Sequence, residues 1–470
     1  MTKPLTLHPD RLFPAEPTVR DIARRLYAGV ADLPIISPHG HTDPSWFANN
    51  EPFADPSSLL IVPDHYVFRM LFSQGTRLED LGVPTVDGSL TSTDSRKIWH
   101  LLAANYHLFR GTPSRMWLDW VFAEVFKLDV LLEPETADLY YDTIDAALKT
   151  PEFRPRALFE RFNIEAIATT ESPLDPLTHH AAIRASGWGG RVVTAYRPDP
   201  VVDPEAAKFA ESVRRFGETA GVDVSTYEGY LAAHRFHRAR FREAGATSTD
   251  HGHPSARTAD LSPEEAAALY LRVLAGATPQ DAELFRAQML TEMARMSTED
   301  GMVMQLHPGV HRNHNAAVLA RFGRDKGADI PTQGEFVDAL KPLLDRFGTD
   351  PRLTLILFTL DEDTYSRELA PLAGHYPCLR LGPPWWLNDS PEGMRRFRER
   401  ATETAGFYNT VGFNDDTRAF LSIPARHDVA RRMDCVWLAQ LVAEHRLPED
   451  EAHEVVHALA YDLVKAAYKL

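Results

Sequence analysis

The fold of this chain is constrained most by an alternation of short apolar runs with longer amphipathic segments. Each run is compact, apolar and bounded by turn residues, which is typical of a buried strand. The eight runs are Leu33–Ser37, Ile164–Thr169, Arg191–Tyr196, Ala244–Ser248, Met302–Leu306, Leu353–Phe358, Cys378–Leu381 and Thr410–Asn414. Helical patterns separate most of them, and this alternation predicts parallel strands joined by right-handed crossovers. Eight such strands favour a closed (β/α)8 barrel over an open sheet.

A long stretch between the first and second runs breaks this rhythm. Residues 49–162 contain few strand-like runs and many aromatic residues, Trp99 and Trp117 among them. We therefore expect an α/β protein with a distorted (β/α)8 TIM-type barrel, formed by residues 1–48 and 163–470. The intervening stretch is expected to be a mostly helical insertion that contributes to the mouth of the active site.

Composition narrows the partners and the location of the protein. The chain has 50 Lys and Arg residues against 66 Asp and Glu residues, a net charge of −16. Such a surface is a poor match for nucleic-acid phosphates or an anionic membrane. No apolar run approaches the roughly 18 residues that span a bilayer, and residues 1–16 lack the apolar core of a signal peptide. Two cysteines, Cys378 and Cys435, cannot build a disulfide framework, so we expect a cytoplasmic protein with reduced thiols.

The residues that follow each run are the candidates for catalysis, because active sites of such barrels lie at the carboxyl ends of the strands. The first run is followed by His39-Gly40-His41, and residues two apart in an extended chain point to the same face. Two imidazoles at this spacing suit one metal ion. The alternative is a pair of surface histidines in a loop, and the position directly after a buried strand favours the metal site.

The eighth run continues into Asn414-Asp415-Asp416. A carboxylate here would lie beside the first strand, because closure of a barrel joins its last strand to its first. It would complete a His-His-Asp set with an open position, which is the pattern of a catalytic metal site. Adjacent acids are also common in solvated turns, so this motif alone leaves both interpretations open.

Polar side chains also follow the middle strands. His307 follows the fifth run and is either a third imidazole near the metal or a contact to substrate. Asp250 and His251 belong to a second His-Gly-His motif, and we expect them to line the pocket without binding metal. Arg197 follows the third run, either as a clamp for a carboxylate or as the partner of Asp199 in a surface ion pair.

The insertion supplies a further candidate pair, His65 and Tyr66, which follow Asp64 at the start of an aromatic segment. As part of a lid, His65 would offer a polar contact or carry a proton, and Tyr66 would offer a hydroxyl donor. An aromatic helix is more often part of a core, and the spacing alone does not decide between these roles.

Seven motifs occur together in one order along the chain, and the set resembles the uronate isomerase family, a divergent branch of the amidohydrolase superfamily. The motifs are His39-Gly40-His41, Asp64-His65-Tyr66-x-x-Arg69, Tyr196-Arg197-Pro198-Asp199, Asp250-His251-Gly252, Met304-Gln305-Leu306-His307, Trp385-Trp386 and Asp416-Thr417-Arg418. A His-x-His motif alone indicates only the superfamily, and the other elements make the match specific. The resemblance extends from about Leu7 to Leu470.

The resemblance implies an aldose–ketose isomerase, which is an intramolecular oxidoreductase, on a distorted barrel with a helical insertion. Members of the family convert D-glucuronate to D-fructuronate and D-galacturonate to D-tagaturonate in hexuronate catabolism. The family pattern implies that His39, His41 and Asp416 bind a divalent metal, usually zinc, with His307 close by. The Asp-x-Arg spacing favours Asp416 over Asp415 as the ligand. The residues implied to contact or act on the substrate are His65, Tyr66, Arg197, Asp250, His307, Trp386, Asp416 and Arg418.

Isomerisation of a uronate requires cationic groups that bind its carboxylate, a polarised carbonyl and a proton carrier. Arg197 and Arg418 can bind the carboxylate with bidentate geometry. A metal can orient the substrate and stabilise enediolate charge. Tyr66, Asp250 and Asp416 are candidate proton carriers for transfer through an enediol. We therefore expect a hexuronate substrate, and we also expect a homo-oligomer.

Two other functions remain open at this level. One is a metal-dependent hydrolase of the amidohydrolase superfamily, in which a carbamylated lysine often follows a middle strand. No lysine closely follows the runs at Ile164, Arg191 or Ala244, which weakens this alternative. The other is a non-catalytic uronate-binding protein, which would have no need of an inward His-x-His motif beside an acid at the barrel end.

Overall fold

The computed structural model describes residues 2–470, and its central feature is a curled sheet of seven parallel strands. The strands of the described chain, including two that lie outside this sheet, are in chain order β1 (Ile35–Ser37), β2 (Ile164–Glu171), β3 (Arg191–Tyr196), β4 (Ser248–His251), β5 (Val303–Leu306), β6 (Val310–His311), β7 (Ile330–Pro331), β8 (Leu355–Leu357) and β9 (Leu379–Leu381). The parallel sheet has the order β1-β2-β3-β4-β5-β8-β9. Strands β6 and β7 form a separate antiparallel hairpin.

All six pairings within the main sheet are parallel, so the carboxyl ends of its strands lie at one edge. Parallel strands need a crossover between them, and helices supply it at almost every step. The prediction of a distorted (β/α)8 TIM-type barrel is confirmed. Its consequence for function is that the residues after the strands meet at one mouth.

The last predicted strand, Thr410–Asn414, is much reduced. Its pairing with β9 is a single bridge between Thr410 and Leu381. Gly412 has a φ of +72°, which departs from the extended backbone that a ladder requires. The sheet therefore curls into a barrel without a regular eighth strand.

The fourth strand begins later than its sequence predicts, at Ser248 instead of Ala244. The preceding helix, Tyr227–Glu243, continues into a turn in which Gly245 has a φ of +96°. The four residues of β4 are polar or ionisable and all buried, so apolar patterning does not reveal them.

Helices are the main regular elements of the chain, and all the regular elements between β1 and β2 are helical. The helices of that region are Pro44–Asn49, Pro56–Leu60, His65–Ser73, Ser95–Asn105, Pro113–Trp120, Ala137–Leu148 and Pro155–Arg161. The other helices are Pro17–Ala28, Thr178–Ala185, Asp199–Val202, Phe209–Ala220, Tyr227–Glu243, Pro263–Gly276, Pro279–Asp300, Ala316–Phe322, Val337–Phe347, Ala370–Ala373, Pro391–Ala405, Ile423–Ala443, Glu449–His457 and Leu463–Tyr468. No helix within residues 2–470 combines the length and the apolar character needed to cross a membrane.

The helices between β1 and β2 share one hydrophobic core with the barrel. Trp99 and Phe122 are fully buried there, in a cluster that also contains Ile35 of β1 and Ile164 and Ile167 of β2. Burial of such large side chains is the main favourable contribution to docking. It fixes the helix that carries His65 against the rim of the barrel.

Candidate active site

Two histidines and a carboxylate meet where β1 and the segment after Thr410 approach each other. His39 Nε2 and His41 Nε2 lie 3.4 Å and 3.2 Å from Asp416 Oδ1. The His41 N–H donates to the Thr417 carbonyl at 3.0 Å, which holds the two segments side by side. Asp416 has a φ of +35°, and strained backbone of this kind is concentrated at functional sites.

His307 joins this group from the end of β5. Its ring stacks on that of His39 with 4.8 Å between centroids, and its Nδ1 lies 2.7 Å from Asp250 Oδ1. A carboxylate can only accept, so Nδ1 carries the proton. His307 Nε2 is left buried with no hydrogen-bond partner within residues 2–470.

These side chains fit a divalent cation. The ligand atoms of His39, His307 and Asp416 lie within 4.8 Å of one another. Asp416 Oδ1 and His307 Nε2 are both buried, and neither makes a hydrogen bond within the described chain. Buried polar atoms are normally satisfied, and imidazole and carboxylate donors suit a catalytic metal site with an open position.

The two adjacent acids after the barrel have different surroundings. Asp415 turns away from the cleft, and its Oδ2 lies 3.0 Å from His427 Nε2 in a buried pair. Asp416 lines the cleft. The geometry therefore supports the choice of Asp416 over Asp415.

A chain of charged side chains adjoins His307, in which Asp250 is fully buried and Arg197 and Asp199 are partly exposed. Arg197 Nε donates to Asp199 Oδ2 at 2.9 Å, and Arg197 Nη1 lies 3.0 Å from Asp250 Oδ2. Asp250 has no exposed surface and uses one oxygen for Arg197 and the other for His307. Both interpretations of Arg197 thus have support, since it pairs with Asp199 and also lines the cleft.

The helix His65–Ser73 brings the insertion to the site. Asp64 caps it by accepting the N–H of Tyr66 at 2.8 Å, which is a common way for a helix to begin. The rings of His65 and Tyr66 stack at 4.7 Å, and Trp386 meets His65 edge-on at 5.8 Å. These three side chains line the cleft, as the lid interpretation requires.

The cleft has a volume of about 830 Å³ and lies at the carboxyl ends of the strands. Asp250 and His251, which the sequence predicted to line the pocket, do not line it. The predicted residues that do are His39, His41, His65, Tyr66, Arg197, His307, Trp386, Asp416 and Arg418. Arg418 donates no hydrogen bond to any side chain or carbonyl among the described residues.

The second His-Gly-His motif is placed differently from expectation. His251 is buried beneath the cleft, with its Nε2 3.0 Å from Thr249 Oγ1. Gly252 and His253 line the cleft instead. β4 ends at His251, so Gly252 and His253 belong to the loop beyond its carboxyl end, where the cleft lies.

Burial and neighbouring charges set the protonation states of the site. Burial disfavours the ionised forms of Asp416 and Asp250. Nearby imidazoles nevertheless lower the pKa of Asp416 well below its ordinary range. Arg197 does the same to the pKa of Asp250. Burial lowers the pKa of His65 to about 3, so this ring is neutral. Burial raises the pKa of Tyr66, so its hydroxyl stays protonated and can donate.

Sequence patterning missed a buried cation behind Tyr66. Arg426 is 1% exposed, donates to Asp389 Oδ2 at 2.5 Å, and stacks 3.6 Å from the Trp117 ring centroid. Its guanidinium also lies 5.4 Å from the Tyr66 ring centroid. Arg426 belongs to the helix Ile423–Ala443, where an arginine is usually part of a solvated face, so no sequence signal distinguishes it.

The fold and the site together define an enzyme on an amidohydrolase-like barrel, with a His/Asp cluster at the mouth. Residues 17–468 match the family model of glucuronate isomerase. The uronate isomerase of Phenylobacterium zucineum (strain HLK1) is 68% identical over 471 residues, covering 100% of this chain and 98% of that protein. The chain therefore belongs to the glucuronate isomerase family.

Solved structures agree with this membership. The crystal structure of glucuronate isomerase from Caulobacter crescentus matches with a TM-score of 0.98 and 64% identity, covering 99% of this chain and 98% of that one. The uronate isomerase of Thermotoga maritima matches with a TM-score of 0.91 and 28% identity, covering 98% and 99%. The predicted family and its class, an aldose–ketose isomerase and not a hydrolase, are confirmed.

Proposed function

We propose that the chain converts D-glucuronate to D-fructuronate and D-galacturonate to D-tagaturonate by proton transfer through an enediol. In this reaction C2 loses a proton, C1 gains one, and a hydroxyl proton moves from O2 to O1. The observation that carries the proposal is the cleft itself, which joins the His/Asp cluster to the unpaired guanidinium of Arg418. An aldehyde end and a carboxylate end of one substrate each have a matching group there.

His39, His41 and Asp416 are the proposed metal ligands, with His307 close by and zinc as the proposed ion. The unpartnered Asp416 Oδ1 supports this assignment, and the unpartnered His307 Nε2 supports a place for His307 beside the ion. A bound divalent cation would polarise a carbonyl oxygen and stabilise negative charge on an enediolate.

Tyr66 and Asp416 are the proposed proton carriers. Asp416 is ionised and can accept a proton, whereas Tyr66 is protonated and can donate one. Asp250 is proposed to take part through His307, because both of its oxygens are engaged and it does not line the cleft. His65 is neutral with both ring nitrogens unpartnered in the described chain, so it can bind a substrate hydroxyl.

Arg418 and Arg197 are the proposed cations for the substrate carboxylate, and Trp386 is a proposed wall of the sugar site. Arg418 has its donors free, whereas Arg197 already holds Asp199 and Asp250. A planar guanidinium matches a carboxylate with two parallel hydrogen bonds. Trp386 lines the cleft beside His65 and offers an apolar face.

Turnover of both uronates tests the proposal. Purified protein, with and without added zinc, is incubated with each uronate, and the ketose is followed by NMR. Failure on both uronates together with hydrolysis of lactones or amides would contradict it. In deuterated water, solvent deuterium in the product supports the enediol path. Complete retention of a C2 label favours a hydride shift or a fully shielded proton.

Three wider expectations are also proposals. The first is the division into a barrel, residues 1–48 and 163–470, and a helical insertion, residues 49–162, which rests on the helices found between β1 and β2. The second is a cytoplasmic location, which the two buried, unbridged cysteines support. The third is a homo-oligomer, and light scattering would show a mass above the 52.8 kDa of one chain.

A further inference from the structure

A buried tyrosine outside the cleft connects two of the elements that carry the His/Asp cluster. Tyr468 has no exposed surface. Its hydroxyl lies 3.1 Å from Asn414 Nδ2 and 3.1 Å from Gln305 Oε1. Asn414 lies two residues before Asp416, and Gln305 lies two residues before His307. The tyrosine hydroxyl is therefore a side-chain link between the two parts of the cluster.

The ring of Tyr468 packs inside the barrel. Its apolar cluster contains Ile36 of β1, Val303 of β5 and Ile356 of β8. Strands β1 and β5 are not neighbours in the sheet, and this places the cluster within the curl of the sheet. The helix Leu463–Tyr468 thus brings a hydroxyl into an apolar interior, where an unpaired polar group is unfavourable.

The hydrogen bonds of this hydroxyl have a single direction. Gln305 Nε2 donates to Ser248 Oγ at 3.2 Å and to the Thr249 carbonyl at 3.4 Å. Because a carbonyl only accepts, Gln305 presents its Oε1 to Tyr468, whose hydroxyl donates there. The same hydroxyl accepts from Asn414 Nδ2, which can only donate. Each group has one role, so the network specifies one placement of Asn414 relative to β5.

The network lies one layer below the pair of His307 and Asp250, on the side away from the mouth. Residues two apart in an extended chain point to the same face, which puts Gln305 below His307 and Ser248 below Asp250. The Gln305–Ser248 contact at 3.2 Å therefore repeats the His307–Asp250 contact at 2.7 Å. The lower contact continues to the segment that carries Asp416.

That segment has few other connections to the sheet. Its backbone bonds to the strands lie at its start, where Thr410 bridges to β9, and at Thr417, whose carbonyl accepts from the His41 N–H at 3.0 Å. Between these points, no backbone hydrogen bond joins residues 412–416 to a strand of the described chain. The link through Asn414 falls in this unsupported stretch.

We propose that Tyr468 is a positioning residue for the isomerisation, whose hydroxyl holds Asp416 at a fixed place relative to His307. The inference rests on the roles in the reaction that are proposed above for Asp416 and His307. It gives the helix Leu463–Tyr468 the supporting part that the ladder of a regular eighth strand would otherwise have. Tyr468 does not line the cleft, so its loss should change kcat and metal affinity and leave KM nearly unchanged.

Kinetics on D-glucuronate and D-galacturonate, and zinc titration of chelator-treated protein, test this role in Tyr468→Phe. The variant removes one oxygen and keeps the ring in its apolar cluster. Tyr230→Phe is the matched control, because Tyr230 is also fully buried and donates to the Val201 carbonyl at 2.7 Å, and neither residue lines the cleft.

Tyr468→Phe should lower kcat about 10- to 100-fold with KM within about threefold, because a small displacement of a catalytic group has an effect of this size. It should weaken zinc binding about tenfold. Tyr230→Phe should change each quantity by less than about twofold, although it also leaves a buried polar group without its partner.

Two further measurements separate positioning from general stability. Asn414→Ala breaks the same link from its other side, so adding Tyr468→Phe to it should lower kcat by less than about twofold more. Asn414→Ala also tests the link by itself if Tyr468→Phe does not fold. In crystal structures of metal-free Tyr468→Phe and unmodified protein, Asp416 should differ in position relative to His307 by more than about 0.5 Å.

Equal kcat and equal zinc affinity in Tyr468→Phe and Tyr230→Phe would overturn the proposal. Additive losses in the double variant would also overturn it, as would a rise in KM with kcat unchanged. If the unmodified protein turns over neither uronate, the proposed function fails instead. The zinc titration and the crystal structures then still decide the role of Tyr468, because an undisplaced Asp416 with unchanged zinc affinity refutes it.

Discussion

At the scale of residues, the fold contains two buried aspartate–histidine pairs that have different neighbours. Asp250 joins His307 to Arg197 beneath the cleft, and Asp415 joins His427 behind it. Both carboxylates are fully buried. The two pairs share full burial of the carboxylate but differ in placement, which makes them a natural comparison.

We expect Asp250→Asn to lower kcat by about 100-fold or more, because the amide no longer fixes the His307 tautomer or balances Arg197. Asp415→Asn is the matched control and should lose a similar amount of stability while kcat stays within about threefold. Thermal midpoints and kcat for both variants provide the measurement. Equal losses of kcat in the two variants would contradict a role for Asp250 in the reaction.

A second residue-scale prediction concerns pH. Glu171 ends β2, and burial raises its pKa from 4.5 to about 7, against hydrogen bonds from Thr194 and Thr169. Because the folded pKa is above the unfolded one, the stability that this group contributes is complete below about pH 4.5. It is lost as the pH rises through 7.

Glu171→Gln should remove this loss. The free energy of unfolding of the variant, relative to the unmodified protein, should rise between pH 5 and pH 8 by about 2–3 kcal/mol. Glu228→Gln, at an exposed position in a helix first turn, is the control and should show no such trend. Urea denaturation at several pH values measures it, and a flat difference would refute the prediction.

At the scale of elements, the segment that stands in for an eighth strand is shaped by backbone contact. Gly412 has a φ of +72°, and a Cβ there would lie 2.4 Å from the Leu459 carbonyl oxygen and 2.6 Å from Val464 Cγ2. The carboxyl-terminal helices thus press directly on the backbone that leads to Asp416. The segment therefore packs closely against these helices and pairs with β9 through only a single bridge.

Gly412→Ala should therefore lower the free energy of unfolding by more than the backbone strain alone would. Gly221 has a φ of +68° with open space around it, so Gly221→Ala isolates the strain, about 1 kcal/mol. We expect Gly412→Ala to be less stable than that control by a further 2 kcal/mol or so. It should also lower kcat, since Asp416 would shift. Equal thermal midpoints for the two variants would show that the contact is not limiting.

At the scale of the whole molecule, the barrel is joined weakly between its first strand and its last segment. The His41 N–H to Thr417 carbonyl bond links the two sides, and no ladder forms between them in the described residues. The cluster of His39, His41 and Asp416 spans the same seam. A metal ion held there would connect the two ends of the barrel.

Zinc should accordingly stabilise chelator-treated protein, by about 2.7 kcal/mol at 100 times its dissociation constant. The thermal midpoint with and without zinc measures this effect. The increase should vanish in Asp416→Asn and persist in Asp415→Asn, whose side chain faces His427. A zinc effect that survives in Asp416→Asn would remove this carboxylate from the ligand set.

The sequence by itself determined the class of fold and most residues of the candidate site. Apolar runs separated by helices require parallel strands, and parallel strands bring their carboxyl ends to one edge, so His39, His41 and His307 had to converge. These inferences depend on local periodicity and on chain order. Both are written in the sequence.

Only the tertiary structure decided which charged side chains have an oppositely charged partner and which do not. Arg197 and Arg418 look equivalent in the sequence, yet Arg197 is held by two carboxylates and Arg418 by none among the described residues. The same holds for Asp415 and Asp416, and for Arg426, which a helical pattern would place on the surface. The deciding pairings, Arg197 with Asp250 and Arg426 with Asp389, join residues far apart in the chain. Electrostatic interactions depend on distance and burial, which local patterning does not contain.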